Sequence, residues 1–212
     1  MEVNVLIAFY SRYGNVRALA ETIAEGAREV QGVNIRMRRA ADLAPEEVIA
    51  HDPRWAAARK EMTEAYSEPT NDDLAWADVI FFGTPTRYGN PTAEMKLVID
   101  KTGPLWVQGA LVDKVASVFT STSTIHGGNE STIIAMLNPL MHLGMIVVTP
   151  GYADPIMFQA GTPYGASSVS GPNADQPPTE ADLAVARFTG KRVTEHGLML
   201  KLGKEALAKQ QA

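Results

Sequence analysis

The sequence predicts an α/β fold, a doubly wound parallel sheet with helices on both faces, and three observations predict it. A short apolar run, a polar glycine-bearing loop and a segment of helical spacing follow one another three times, beginning at residues 3, 77 and 115. The apolar runs do not alternate with polar residues, which is the pattern of strands buried on both faces. Strands alternating with helices must pair in parallel, because a parallel pair needs a crossover between its members.

The first unit is VNVLIAFYSRYGNV, residues 3–16. Val3, Val5, Leu6, Ile7, Ala8 and Phe9 make the strand, and SRYGN opens a helix. The first N–H groups of that helix have no intrahelical acceptor and the dipole is positive there, so residues 11–16 form a seat for a phosphate. Ser11 adds a hydroxyl, and Gly14 lets the backbone approach the ligand. Neither G-x-G-x-x-G after the strand nor G-x-x-x-x-G-K-[ST] anywhere is present, which points to a mononucleotide phosphate held by amides and hydroxyls. Val16, Leu19, Ala20, Ile23, Ala24, Ala27 and Val30 then lie on one helical stripe, and residues 33–37 alternate as an outer strand.

Residues 44–68 read as a helical excursion with a surface loop, with helix starts at Pro45 and Pro53, and Trp55 and Tyr66 are expected to pack it onto the body or another subunit. Residues 71–74 read as a short turn. The second unit follows: strand 77–83, the loop TPTRYGNP, and a helix over 95–100. The third comprises strand 115–120, the loop STSTIHGG and a helix over 130–142. A further strand is expected at 145–149, and then residues 151–178 are rich in Gly, Pro, Ser and Asn with little periodicity, as in a functional loop or subunit contact. Thr179 caps a helix with Asp182 three residues on, and residues 198–212 are expected as a frayed or helical tail.

With 212 residues, 45% of them apolar, the chain reads as one domain over residues 1–212 that carries the excursion at about 44–68 and the long loop at about 151–178. A net charge of −5 with no basic block argues against nucleic acid as a main partner. The absence of cysteine excludes disulfides, thiolate nucleophiles and Cys-ligated metals. The chain enters its first strand at once and no apolar run reaches spanning length, so the expectation is a soluble, cytoplasmic protein with no membrane partner.

Right-handed crossovers gather the loops after the strands along one sheet edge, where ligands bind at the topological switch point. SRYGNV, TPTRYGN and STSTIHGG therefore converge. They offer amides and a hydroxyl, an aromatic ring with a guanidinium, and four small hydroxyls with a turn, which suit a phosphate at one end and a flat heteroaromatic at the other. No carboxylate pair, metal-ligand set or G-x-S-x-G elbow accompanies them, so a bound cofactor is expected to do the chemistry.

TPTRYGNP, TGPLWVQGALVDKVASVFTSTSTIHGG, LMHLGM and GTPYGAS, in this order, resemble the flavodoxin-like NAD(P)H:quinone oxidoreductases of type IV, the WrbA family. The resemblance covers most of the chain and implies a flavodoxin-like, five-stranded sheet of order 2-1-3-4-5, non-covalent FMN, a homotetramer, and two-electron reduction of quinones by NADH or NADPH. It implies that Ser11, Arg12, Tyr13, Gly14, Asn15 and Val16 hold the FMN phosphate, with Tyr13 also near the nicotinamide nucleotide. Thr86, Arg87 and Tyr88, with Pro85 and Gly89 beside them, would bracket the isoalloxazine. Ser121, Thr122, Ser123 and Thr124, with the turn through Ile125, His126 and Gly127, would meet its pyrimidine edge. Trp106 would wall the quinone, and His142 would border the flavin pocket. The expected mechanism is ping-pong hydride transfer through the flavin; a one-electron carrier flavodoxin and a non-enzymatic flavin-binding regulator are the alternatives.

Overall fold

The computed structural model describes residues 2–211; Met1 and Ala212, the last residue of the expected tail, lie outside the described residues. The central strand β1 (Val3–Phe9) has parallel neighbours on both sides, β2 (Val33–Arg39) and β3 (Val79–Arg87). A two-residue strand β4 (Asn90–Pro91) folds back on β3 as a hairpin. β5 (Val115–Thr122) extends the parallel sheet, and β6 (Ile146–Val147) and β7 (Ser167–Val169) share its outer edge.

The order β2-β1-β3-β5-β6 is the expected 2-1-3-4-5 arrangement with its last position split. β6 pairs with the start of β5 at Val115↔Ile146, β7 pairs with its end at Thr122↔Val169, and residues 148–166 bulge out between them. The strand expected at 145–149 is thus only two residues long, and the edge is completed from within the segment read as a long loop. That segment also holds a single 3-10 turn, Pro155–Phe158, whose start is capped by Asp154 accepting from the Ile156 amide.

Strand pleating sorts the core. Val5, Ile7 and Phe9 point to one face, where they meet α1 (Asn15–Arg28), α3 (Pro53–Ala65) and α8 (Glu180–Gln211). Leu6, Ala8 and Tyr10 point to the other, against α4 (Asn71–Trp76), α5 (Ala93–Asp100), α6 (Gly103–Val107) and α7 (Asn129–His142). The short α2 (Glu46–Ala50) precedes α3. α1 and α8 meet backbone to backbone: a Cβ on Gly26 would lie 1.9 Å from the Arg187 carbonyl oxygen, and one on Gly190 would lie 2.2 Å from that of Ile23.

Two local expectations are corrected. Residues 71–74 are not a turn but the start of α4, because Thr70 and Asp73 form a reciprocal capping box, and Asp73 also accepts from Arg36 and Arg38. TPTRYGNP is not an open loop either; β3 continues through Arg87 and turns at Tyr88 (φ 54°) and Gly89 (φ 77°). Two positive φ values between paired Arg87 and Asn90 are those of a type I′ hairpin turn. At the C-terminal end Thr179 and Asp182 form the expected cap, and α8 continues as helix to Gln211. No described helix is long and apolar enough to cross a membrane.

Candidate active site

β1 delivers the chain to Ser11, which is buried, and the loop turns at Gly14 in the left-handed region (φ 112°) before α1 begins. The Ser11 hydroxyl oxygen accepts from the Gly14 amide at 3.1 Å, which holds the turn and leaves the hydroxyl proton free to donate. The next amides, those of Asn15 and Val16, open the helix and have no intrahelical acceptor.

The other loops are tied to one another. Thr86 accepts from the Gly89 amide at 3.1 Å and from the Thr132 hydroxyl at 2.8 Å, which pins the β3–β4 hairpin to α7. A Cβ on Gly128 would lie 2.9 Å from the Gly89 Cα, so the second and third loops touch where only glycine fits. The third loop closes on itself through the Gly127 amide and the Thr124 carbonyl at 2.9 Å, and the Thr122 carbonyl accepts from both the amide (2.7 Å) and the hydroxyl (3.1 Å) of Ser170.

Together these segments enclose a cavity of about 270 Å³. Of the expected residues, Ser11, Arg12, Tyr13, Asn15, Val16, Pro85, Thr86, Arg87, Ser121, Thr122 and Ser123 line it. Gly14, Gly89, Thr124 and Gly127 shape its loops through their backbone. Tyr88, Ile125 and His126 stand exposed on the tips of the same loops. Trp106 lies on α6 and is more than half exposed, and His142 borders a different hollow with Asn90, Lys96 and Asn138; neither lines the cavity.

A fourth wall comes from the segment expected as a functional loop or subunit contact, through Ser170, Pro172, Asn173 and Ala174, none of them singled out by the sequence. Its signal was the Gly/Pro/Asn composition after Ser167, but composition does not show that β7 carries the segment onto the end of β5. The excursion, expected to pack onto the body, does so at the site itself. The Tyr13 hydroxyl donates to Asp52 at 2.5 Å, and Asp52 also caps α3 by accepting from the Trp55 amide. These bonds hold the Asp52 carboxyl below the usual carboxylate range, the Tyr13 bond most strongly. Burial first, and the bond to Asp52 second, push the Tyr13 phenol up, so it remains a donor. The Trp55 ring lies against the Arg12 guanidinium, and the Trp55 indole N–H donates to Asp42 at 2.8 Å.

The lining contains two guanidiniums and no carboxylate. The Arg12 Nε is buried without a hydrogen-bond partner. A helix N-terminus and a free hydroxyl proton form a donor set for a phosphate dianion, beside the Arg12 guanidinium, whose Nη2 also lies 3.5 Å from the Asp52 carboxylate, so the residues present fit the phosphate end of FMN.

A parallel sheet of this order with a ligand cavity at its switch point defines a flavodoxin-like protein. Solved structures agree on the fold: a WrbA-like flavodoxin from Agrobacterium tumefaciens superposes with a TM-score of 0.64 at 24% identity, covering 93% of this chain and 99% of that one. A flavodoxin from the domain Archaea superposes with 0.61 at 18% identity, covering 92% and 99%. The chain belongs to the NADPH-dependent FMN reductase family, which matches residues 1–155. It is 44% identical over 198 residues to an NAD(P)H dehydrogenase (quinone) of Geotalea uraniireducens (strain Rf4), covering 90% of this chain and 96% of that protein. It is 43% identical over 202 residues to an NAD(P)H dehydrogenase (quinone) of Methanosarcina acetivorans, covering 91% and 95%.

Proposed function

We propose that the protein is an FMN-dependent NAD(P)H:quinone oxidoreductase that reduces quinones by two electrons in a ping-pong cycle. The observation that carries this reading is the cavity wall, in which four loops bring together a helix N-terminus, small hydroxyls and two guanidiniums with no carboxylate. Bound FMN supplies the hydride-accepting and hydride-donating chemistry that no side chain here can perform. Ser11 and the amides at the start of α1 would hold the phosphate, with Arg12 balancing its charge. Pro85, Thr86 and Arg87 would face one side of the ring system, and Ser121, Thr122 and Ser123 its polar edge, where fixed donors stabilise negative charge as it develops. The cavity is just under the roughly 300–1,000 Å³ usual for small-molecule sites, so the ring system would reach the open rim near Tyr88, Ile125 and His126, where dinucleotide and quinone can approach in turn.

The same reading makes the chain one cytoplasmic domain that assembles as a homotetramer and binds neither membrane nor nucleic acid. Two exposed apolar pairs support assembly, Trp106 with Val107 on α6, and Tyr152 with Phe158, whose ring centres lie 5.2 Å apart. Trp106 and His142 would then serve a site completed by neighbouring copies. Steady-state turnover of benzoquinone with NADH or NADPH tests the activity: parallel double-reciprocal lines are expected, and absence of NAD(P)H-dependent quinone loss by FMN-loaded protein overturns it. Size-exclusion mass tests the assembly; a monomeric mass for FMN-loaded protein overturns the tetramer.

A further inference from the structure

The excursion ahead of β3 reaches across the cavity mouth and ties two of its walls together. Arg54, in the first turn of α3, donates through Nη1 to the Asn173 carbonyl at 2.9 Å and through Nη2 to the Ala174 carbonyl at 2.6 Å. The same guanidinium lies 4.8 Å from the centre of the Tyr13 ring. One side chain therefore bridges the anion-seat loop and the fourth wall. Asn15 makes a parallel tie, its Nδ2 donating to the Gln176 carbonyl at 2.6 Å.

The segment being held is not at rest by itself. Ala174 has a φ of 51°, in the left-handed region that a side chain disfavours, and its amide donates back to the Gly171 carbonyl at 3.1 Å. A bond from outside to the strained residue's own carbonyl stabilises the closed form of this turn against opening. Among the described residues Arg54 has no carboxylate partner, so its charge is directed to the two carbonyls and the ring.

We propose that Arg54 is a positioning residue that latches residues 170–174 over the phosphate end of FMN and sets how fast the cofactor leaves. This inference rests on FMN occupying the cavity. Opening the mouth requires breaking both Arg54 bonds, while the phosphate contacts at Ser11 and α1 do not involve Arg54. The latch therefore acts on the rate of release far more than on turnover of the loaded enzyme.

The test is FMN dissociation, followed as the rise of free-flavin fluorescence after dilution of FMN-loaded protein, for wild type, Arg54→Ala, Arg54→Lys and Lys60→Ala. Loss of the charge-assisted pair in Arg54→Ala should speed release roughly tenfold. Arg54→Lys, whose single ammonium replaces the two-pronged fork, should fall between it and wild type. Lys60, exposed on the same helix, should be without effect when replaced. Wild-type release from Arg54→Ala, or equal acceleration by Lys60→Ala, overturns the latch. Failure of wild type to retain any FMN overturns instead the reading of the cavity.

Discussion

The Arg12 guanidinium lies 3.9 Å from the centre of the Trp55 ring, so a side chain of the anion seat is covered by one from the helical excursion. The contact is anchored beneath, where Asp42 accepts from the Trp55 indole at 2.8 Å, from the Tyr10 hydroxyl at 2.8 Å and from Arg39 at 2.6 Å. Arg39 also donates to the Ser11 carbonyl at 3.3 Å. The seat is thus braced from below by a buried ion pair and from above by an indole.

Trp55 should therefore matter to both stability and binding. Trp55→Ala is expected to cost about 3–5 kcal/mol in urea unfolding and to weaken FMN binding at least about tenfold. Trp55→Phe keeps an aromatic face, though a smaller one, and loses the donor to Asp42, which should cost about 1–3 kcal/mol. Equal stability of Trp55→Phe and wild type would show that the indole bond is not formed.

Burial raises the Asp42 carboxyl pKa, but hydrogen bonds from Arg39 and Tyr10 together with the Arg39 charge outweigh it and leave the carboxyl below the ordinary 3.8. A depressed folded pKa means that the unfolded chain binds the proton first. The stabilisation is thus complete above about pH 5, and it is lost as pH falls past the ordinary value toward the lower folded one. Asp42→Asn should cost about 3–5 kcal/mol at neutral pH by leaving Arg39 buried without its partner, and it should flatten the stability profile below pH 4. Acid unfolding curves of the two proteins check this directly.

Gly26 and Gly190 invert the usual effect of alanine in a helix. At an exposed site Gly→Ala gains about 1 kcal/mol, but here either methyl would collide with the backbone of the facing helix, so each variant should lose about 1–3 kcal/mol net. Denaturant midpoints decide the sign, and a gain would mean that α1 and α8 are not in contact.

Ala174→Gly should act oppositely. Removing the side chain relieves a positive φ at an added entropic cost in the unfolded chain, for a net gain of about 0.5–1 kcal/mol in the apoprotein. An unchanged or lower melting temperature would mean that the residue carries no strain.

The fold was largely legible because its signals are local. Runs such as ADVIFFG and VASVFT announce strands buried on both faces, and the T-E-A-D cap marks the start of α8. Residues 71–74 show no helix start in isolation because their capping partner, Thr70, lies just ahead and Asp73 is recruited by arginines of β2. Most of the cavity lining was legible for the same reason: three loops after three strands must meet at one edge. Ser170–Ala174 and the Asp52–Arg54–Trp55 brace were not, since they depend on pairings between segments some 40 to 120 residues apart that leave no periodic trace. Trp106 and His142, singled out by resemblance, lie away from the cavity of the single chain.

The most direct measurement is the visible spectrum of the purified, FMN-loaded protein under anaerobic conditions, taken before and after one equivalent of NADH or NADPH and again after one equivalent of benzoquinone. Retained flavin absorption, bleaching by the nicotinamide and full recovery with quinone are the predicted result. Loss of all FMN on desalting, or a loaded protein that neither nicotinamide bleaches, would contradict the account.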